Sequence, residues 1–306
     1  MSGLGGNSLG PLDDPARKTA VNKYFRRRPD PADRSRARLM LWLALFLALF
    51  AGAALALSGN VLAAVIPATA ALMFLLLGLQ ARAVYWRAFH KAEPKPTDGQ
   101  IDDTFREDLE RAANRAMEVF GLHDSHLVLH SADVRPPGGP RPFADQGAGP
   151  IVVFGPAKGA KAREGIDRIW RFSHYDVLVV CPTERHLGVV VSRLDLASGR
   201  RKDENTDEFH YGHIVAVTTR TKPVADLVTS VVTFWGYADT YSMTLARELQ
   251  VIVASGDRTG IVVGVDERPG QPAVLQSSGI DYALAQLRNL LAHKRWEQRN
   301  GAWTIR

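Results

Sequence analysis

Residues 39–81 form a run of 43 positions without a formal charge, interrupted near its middle by Ser58-Gly59-Asn60. The hydrocarbon core of a bilayer is about 30 Å thick, so a helix needs about 20 apolar residues to cross it. Leu39–Leu57 supplies 19 residues and Val61–Gln80 supplies 20. The run therefore predicts a transmembrane helical hairpin with a very short turn.

Two other interpretations of the run fit the sequence less well. A cleaved signal peptide has an apolar region of about 7–15 residues behind a short basic segment. Here the run is far longer and follows 38 mostly polar residues. A soluble helical hairpin would carry a polar stripe, whereas residues 41–47 are apolar on every side.

Basic residues flank both outer ends of the predicted hairpin and are absent from its turn. Lys and Arg near the ends of a span remain on the cytoplasmic side. We therefore expect a multi-pass protein of the bacterial inner (cytoplasmic) membrane with both termini in the cytoplasm. Tyr85, Trp86 and Phe89 are typical of an interfacial aromatic belt. The candidate lipid-headgroup and topology residues are Arg26, Arg27, Arg28, Arg82 and Arg87.

The net charge of +6 is concentrated before the hairpin. Residues 1–38 hold nine Lys/Arg against four Asp, and the remainder holds 29 basic against 28 acidic residues. A nearly neutral soluble part lacks the electrostatic footprint of a nucleic-acid binder. Residues 1–38 are interpreted as a basic, partly disordered tail. The single cysteine, Cys181, excludes an intrachain disulfide and lies in a buried-strand pattern.

The soluble part divides at about residue 150. Residues 82–149 are predicted to contain a juxtamembrane amphipathic helix, Ile101–Phe120, a short strand, His126–His130, and a Pro/Gly-rich connector. Residues 150–306 are β-rich and end in a helix, Ile280–Gln298. The predicted strands are Ile151–Phe154, Ile169–Cys181, Leu187–Leu194, Glu208–Thr218, Leu227–Trp235, Thr244–Ala254 and Gly260–Val265, with a loop at Ala197–Asn205.

The predicted fold class is α+β. The order of its predicted elements, seven strands followed by one amphipathic helix, resembles that of a bacterial pleckstrin-homology-like (PH-like) domain. The resemblance is carried by the hairpin-like Val177–Val191, by Glu208–Val217 and by Ile280–Lys294. It implies a β-rich sandwich or partial barrel capped by the C-terminal helix. It also implies that a loop between early strands is a ligand site, and the basic residues there are Lys158, Lys161 and Arg163.

No catalytic constellation emerges from the motifs. The segment Gly155–Lys161 lacks the Gly-x4-Gly-Lys-Ser/Thr spacing of a phosphate loop. His123, His126 and His130 are close in sequence, but no further ligand pattern completes a metal site, and ordinary surface histidines are favoured. We therefore expect no enzyme activity, no cofactor and no metal.

The function that fits best is a membrane-anchored cytoplasmic binding or scaffold module, a subunit or assembly factor of a membrane complex. Its expected partners are the lipid bilayer and other membrane-protein subunits or further copies of itself. A homo-oligomeric pore or membrane effector gated by the cytoplasmic domain is the alternative, since small residues in the spans allow close helix packing. The spans contain no ionisable residue that would line a polar path.

Overall fold

The structure, a computed structural model, is a mixed α+β protein with two apolar helices near the N-terminus, a β-sheet region and a C-terminal helix. This confirms the predicted class at that level of detail. The chain forms two compact units, one comprising Arg26–Lys95 and the other comprising the described residues on either side of it. The described residues are 9, 12–58, 61–123, 127, 149–223, 227–232, 245–268, 271–272 and 280–301.

The described residues contain five α-helices. Helices α2 and α3 each contain a segment long and apolar enough to cross a membrane, Pro31–Leu57 and Ala64–Ala92. Both helices extend beyond the predicted spans into the charged flanks, because helical hydrogen bonding does not stop where the apolar run stops. The helices are α1 Pro15–Tyr24, α2 Pro31–Ser58, α3 Val61–Ala92, α4 Asp98–Val119 and α5 Ile280–Gly301.

Helices α2 and α3 pack along a seam that repeats every seven residues and is composed mainly of small side chains. A seven-residue repeat keeps one stripe of each helix facing its partner, as in a coiled coil. A Cβ at Gly78 would come within 2.9 Å of Leu41 Cδ2 and 3.3 Å of Leu41 N, so the two helices approach closely here. The buried seam residues are Ala37, Ala44 and Ala51 on α2 and Ala64, Ala71, Gly78, Tyr85 and Ala92 on α3.

The described residues of the other unit contain eleven strands in three sheets. One antiparallel sheet has the order β1-β4-β5-β6, a second has the order β11-β10-β9-β7, and a three-stranded sheet has the order β3-β2-β8, with β2 and β8 parallel. The strands are β1 Ile151–Pro156, β2 Ala160–Glu164, β3 Trp170–Phe172, β4 His174–Pro182, β5 His186–Asp195, β6 Arg201–His210, β7 Ile214–Pro223, β8 Val228–Val232, β9 Leu245–Val253, β10 Arg258–Arg268 and β11 Gln271–Pro272.

Strands β1, β4 and β5 of the first sheet are largely buried on both faces and divide the hydrophobic core into two clusters. Strand β4 shows the alternation, since Val177 and Val179 face one cluster while Leu178 and Val180 face the other. The first cluster includes the buried faces of α1 and α4, and the second includes β7, β9, β10 and α5. Burial on both faces explains why β4 reads as a continuous apolar run rather than an alternating one.

Helix α4 begins at a capping box and packs through aromatic contacts on the first sheet. The Thr97 side chain caps the helix together with Gln100. Phe105 is fully buried, with its ring centroid 4.1 Å from that of Tyr175 and 4.9 Å from that of Phe154. The predicted boundary between 82–149 and 150–306 therefore falls inside one compact unit, because the helix buries its apolar face against the strands that follow it.

Several predicted elements differ from the observed ones. The interval 197–205, predicted as a loop, contains the start of β6, a charged edge strand whose pairing with β5 leaves most of its side chains exposed. The predicted loop around residues 155–161 is shortened to a tight turn between β1 and β2. The predicted strand Glu208–Thr218 spans the end of β6, a 3-10 turn at Tyr211–His213 and the start of β7.

Candidate functional site

Helix α1 belongs to the sheet-containing unit, although it precedes the hairpin in sequence. The Asp14 side chain accepts a hydrogen bond from Ala16 N, and Pro15 occupies the first turn, which are favourable helix starts. Arg17, Val21 and Tyr24 fall on one face and are all buried. The interval 15–25 is therefore part of the sheet-containing unit, whereas the sequence indicated only a basic tail.

Arg17 and Asp108 form an ion pair in which both side chains are fully buried. Arg17 Nε and Nη2 also donate to the Leu196 carbonyl oxygen, at 3.1 and 3.0 Å. A second guanidinium, that of Arg111, pairs with the same carboxylate from the partly exposed side. Charges this well buried are tolerated only when they are paired, so Asp108 fixes α1 against α4.

Tyr24 links α1 to the start of α4 and to β2. Its hydroxyl donates to Asp98 Oδ1 at 2.7 Å, and Asp98 Oδ2 accepts from Ile166 N at 2.8 Å. Arg163 Nη1 donates to the Tyr24 carbonyl oxygen at 2.7 Å, and its guanidinium lies 4.2 Å from the ring centroid. Burial is the main cause that raises the pKa of the Tyr24 hydroxyl. Tyr24 and Asp98 lie just outside the two ends of Arg26–Lys95, so both connections to that unit are anchored.

Arg171 completes this polar layer beneath α4. Its guanidinium makes two 2.7 Å hydrogen bonds to Asp102 and further bonds of 2.9 and 2.7 Å to Asp167. The hydrogen bond from Arg171 is the main cause that lowers the pKa of Asp167. The Arg171 side chain is fully buried, so the two carboxylates neutralise it and hold β3 against α4.

A cleft of about 390 Å³ opens where α4, the β5–β6 turn and the residues before α1 meet. Its volume lies in the range of small-ligand sites, about 300–1,000 Å³. Four arginines line it against two carboxylates, which gives the cleft a positive character. The lining residues are Leu12, Asp108, Arg111, Arg115, Gly199, Arg200, Arg201 and Glu204.

The arginines of the cleft differ in how well they are paired. Arg200 pairs with Asp13 at 2.6 Å, and Arg115 pairs with Glu118 at 3.2 Å. Arg201 Nη1 donates to the Arg111 carbonyl oxygen at 3.0 Å, and within the described residues no carboxylate lies within 4.0 Å of Arg201.

The cleft also places charges of like sign near one another. Burial is the main cause that lowers the pKa of Arg201. The positive charges of Arg115 and Arg111 lower it further, while Glu204 and Glu118 oppose them. The two carboxylates outweigh the two arginines, so burial rather than like-charge repulsion lowers the pKa of Arg201.

Two buried nitrogen atoms at the cleft have no hydrogen-bond partner among the described residues, Arg17 Nη1 and Arg111 Nε. A Cβ at Gly199, which lines the cleft, would come within 2.9 Å of Arg17 Nη1. Gly199 has φ +69°, which favours glycine, so the backbone approaches the guanidinium without a side chain between them. Arg17 Nη1 thus lies directly behind the cleft wall.

The predicted headgroup residues are all on the hairpin unit or its flanks. Arg26, Arg27, Arg82 and Arg87 are exposed. Arg28 pairs with Glu93 at 2.5 Å, which ties the two ends of this unit together. Arg82 also lines a small cleft of about 40 Å³ with Arg34, Ala37, Arg38, Leu41, Tyr85 and Trp86.

The three residues predicted to form a ligand loop do not share one environment. Lys158 and Lys161 are exposed, in the β1–β2 turn and on β2. Arg163 lies on β2 and is buried, with its guanidinium on Tyr24, so it is not part of the loop. Arg163 shares a strand face with the exposed Lys161, and it is buried because Tyr24 of α1 covers that face at its position.

The remaining sequence candidates are a histidine group and the cysteine. Among the described residues no group of three or more His, Cys, Asp or Glu side chains could hold a metal ion. His123 is exposed, and His126 and His130 lie outside the described residues. Cys181 is fully buried on β4, and burial raises the pKa of its thiol to about 12. A thiol with so high a pKa has very little of the reactive thiolate at neutral pH.

The sequence did not identify the cleft. Arg200 and Arg201 stood in a segment read as a loop, and Arg111 and Arg115 were ordinary positions of an amphipathic helix. The available signal was the i, i+4 spacing of Arg111 and Arg115, which places both on one helix face.

No protein-family model, curated protein or solved structure matches the chain.

Proposed function

We propose that this protein is a membrane-anchored binding or scaffold module. In the proposal α2 and α3 form a transmembrane hairpin in the bacterial inner membrane, and the sheet-containing unit lies in the cytoplasm. There the unit recruits or assembles with other subunits of a membrane complex.

The observation that carries the proposal is the large apolar surface of α2 and α3. Trp42 is 68% exposed, Phe46 66% and Ile66 75%. Of the most apolar window in each helix only 11% and 17% is buried. A helix in the core of a soluble protein would bury most of that window. Exposed apolar area on this scale favours a membrane or another apolar partner.

The charge distribution supports the proposed orientation. Arg26, Arg27, Arg82 and Arg87 are exposed at the ends of the hairpin that adjoin the sheet-containing unit in sequence. The short turn between α2 and α3 contains no charge. Basic residues on that side favour retention of both ends in the cytoplasm. Exposed Arg side chains near a surface of anionic lipids each contribute about 1 kcal/mol of attraction.

The sheet-containing unit supports a binding role through the way it holds the two segments that adjoin the hairpin. The segments that lead into and out of the hairpin are both anchored to it, by Arg17, Tyr24 and Asp98. The proposed PH-like fold is supported by two antiparallel sheets and by α5, which packs on the second core cluster. The layer formed by α1 and α4 is an addition that the resemblance did not imply.

The proposal is tested by purifying the full chain from its native membrane in a mild detergent. The mass of the particle and its composition are then measured by light scattering and mass spectrometry. We expect a defined complex that contains the protein and other membrane subunits in fixed ratio. A homo-oligomer that conducts ions after reconstitution into liposomes would contradict the proposal and favour a pore.

A further inference from the structure

We propose that the arginine-lined cleft between α4 and the β5–β6 turn binds a phosphate-bearing anion, either a small soluble polyphosphate compound or the headgroup of an anionic phospholipid. The proposal rests on the proposed function, because it names a ligand class for the binding module. The shared chemistry is a group of phosphate oxygens that accept hydrogen bonds from guanidinium groups.

The charge of the cleft is the first argument. The guanidinium groups of Arg111, Arg115, Arg200 and Arg201 line it, and the opposing carboxylates in the lining are those of Asp108 and Glu204. Asp108 is already shared between Arg17 and Arg111. Planar guanidinium groups match phosphate oxygens in two-point hydrogen bonds, so clustered arginines favour phosphate over a compact cation or a neutral solute.

Arg201 is the second argument. It donates to a backbone carbonyl oxygen, and within the described residues no carboxylate pairs with it. Its guanidinium is partly desolvated, and burial is the main cause that lowers its pKa. Electrostatic interactions are stronger in such a space than in bulk water, so an anion that accepts a hydrogen bond from Arg201 there gains more than it would at an open surface.

The unpartnered donors at the cleft are the third and independent argument. The Arg17 side chain is fully buried, yet its Nη1 has no hydrogen-bond partner among the described residues, and the same holds for Arg111 Nε. A buried donor without a partner costs free energy, so such atoms are rare unless a ligand or water satisfies them. Arg111 lines the cleft itself, whereas Arg17 Nη1 lies behind Gly199 at the cleft wall.

Binding at this place also has a structural consequence. The cleft is lined by Leu12, which precedes α1, by Arg111 of α4 and by the turn that carries Arg200. A ligand that contacts all three holds the segment before α1 against α4 and the turn. By mass action a ligand that binds the folded state alone raises the midpoint of unfolding. The proposal therefore has a second readout besides the binding isotherm.

The test uses the purified full chain in a mild uncharged detergent at low ionic strength. Isothermal titration calorimetry is carried out with inorganic phosphate, with tripolyphosphate and with a short-chain phosphatidylglycerol. The variants are Arg115→Gln and Arg201→Gln. Arg106→Gln is the matched control, because Arg106 and Arg115 are both on α4, are 53% and 49% exposed and each pair with a carboxylate three residues away.

We expect the anion to bind at least tenfold more weakly to Arg115→Gln and Arg201→Gln than to the parent protein, and within about twofold of the parent to Arg106→Gln. Tight binding of tripolyphosphate with this variant pattern identifies a soluble ligand. The same pattern with phosphatidylglycerol alone identifies a lipid headgroup. The unfolding midpoint of each variant is measured in the absence of ligand, so that a loss of binding is separated from a loss of fold.

Failure of all three probes to bind the folded protein overturns the proposal, and so does an equal effect of all three substitutions. Neither result bears on the membrane hairpin or on co-purifying subunits. A preparation that retains its partner subunits but binds no phosphate compound refutes the cleft ligand and leaves the proposed function standing.

Discussion

The buried pair between Arg17 and Asp108 gives the sharpest prediction about stability. Both side chains are fully excluded from solvent. Asp108→Asn removes the carboxylate charge and leaves the Arg17 guanidinium buried with only uncharged acceptors, the Leu196 carbonyl oxygen and the amide oxygen of the new side chain. Removing one partner of a buried ion pair costs about 3–5 kcal/mol. Domains of this kind have a free energy of unfolding of roughly 5–15 kcal/mol, so the loss is a large fraction of the total.

The assay is urea unfolding of the full chain in mild detergent, followed by the fluorescence of buried Trp170 and by circular dichroism. With a slope of about 2 kcal/mol per molar urea, the midpoint falls by about 2 M for Asp108→Asn. Asp103→Asn is the control, since it breaks an exposed pair with Arg106 on the same helix and is expected to cost about 0.2–1 kcal/mol.

A double substitution separates the charge from the packing. Arg17→Met combined with Asp108→Leu replaces the buried pair by apolar side chains, and this exchange is often neutral or stabilising. We expect the double variant to be more stable than Asp108→Asn alone. Equal midpoints for Asp108→Asn and Asp103→Asn would refute the reasoning, because the pair would then contribute no more than a surface pair.

Three further predictions concern the same unit. Gly199→Ala places a Cβ 2.5 Å from Leu12 Cδ2 at a residue with φ +69°, and we expect it to lower the free energy of unfolding in urea by about 1–3 kcal/mol. Gly256→Ala is the control, because Gly256 has φ +90° but open space around it, and it should cost less. Equal costs for the two substitutions would argue against close packing at the cleft. Cys181 should resist maleimide at pH 8 in the folded protein and react once urea unfolds it, and fast native labelling would contradict its burial. Burial raises the pKa of the Tyr175 hydroxyl. The stability that the protonated hydroxyl contributes is therefore complete below about pH 10 and is lost as the pH rises above that value. Tyr175→Phe should make the urea midpoint fall less steeply with pH in alkaline solution, and an unchanged slope would contradict this prediction.

The elements that the sequence predicted well are those with a strong period or a long apolar run. Helices α4 and α5 begin or end within three residues of their predicted bounds, because an apolar stripe marks one face of each. The strands β4 and β5 are rich in Val and Leu and face the core on both sides. In these segments the local pattern and the tertiary packing favour the same structure.

The elements that were missed are those that tertiary packing creates. Helix α1 has an arginine at the first of its three buried positions, and burial of Arg17 is possible only because Asp108 lies across from it, 91 residues later. Strand β6 is highly charged, and its partner β5 supplies the hydrogen bonds that define it. A single sequence shows neither partner. The cleft was missed for the same reason, since its arginines come from two distant segments.

The central claim is that α2 and α3 form a hairpin across the inner membrane with the soluble unit inside the cell. The direct measurement is labelling of single introduced cysteines in intact cells with a membrane-impermeant maleimide, in a Cys181→Ala background. The hairpin predicts that Ser58→Cys is labelled from outside. It predicts that Ser35→Cys and Lys158→Cys are labelled only after the cells are permeabilised. Labelling of Lys158→Cys in intact cells, or protection of Ser58→Cys on the outside, would contradict it.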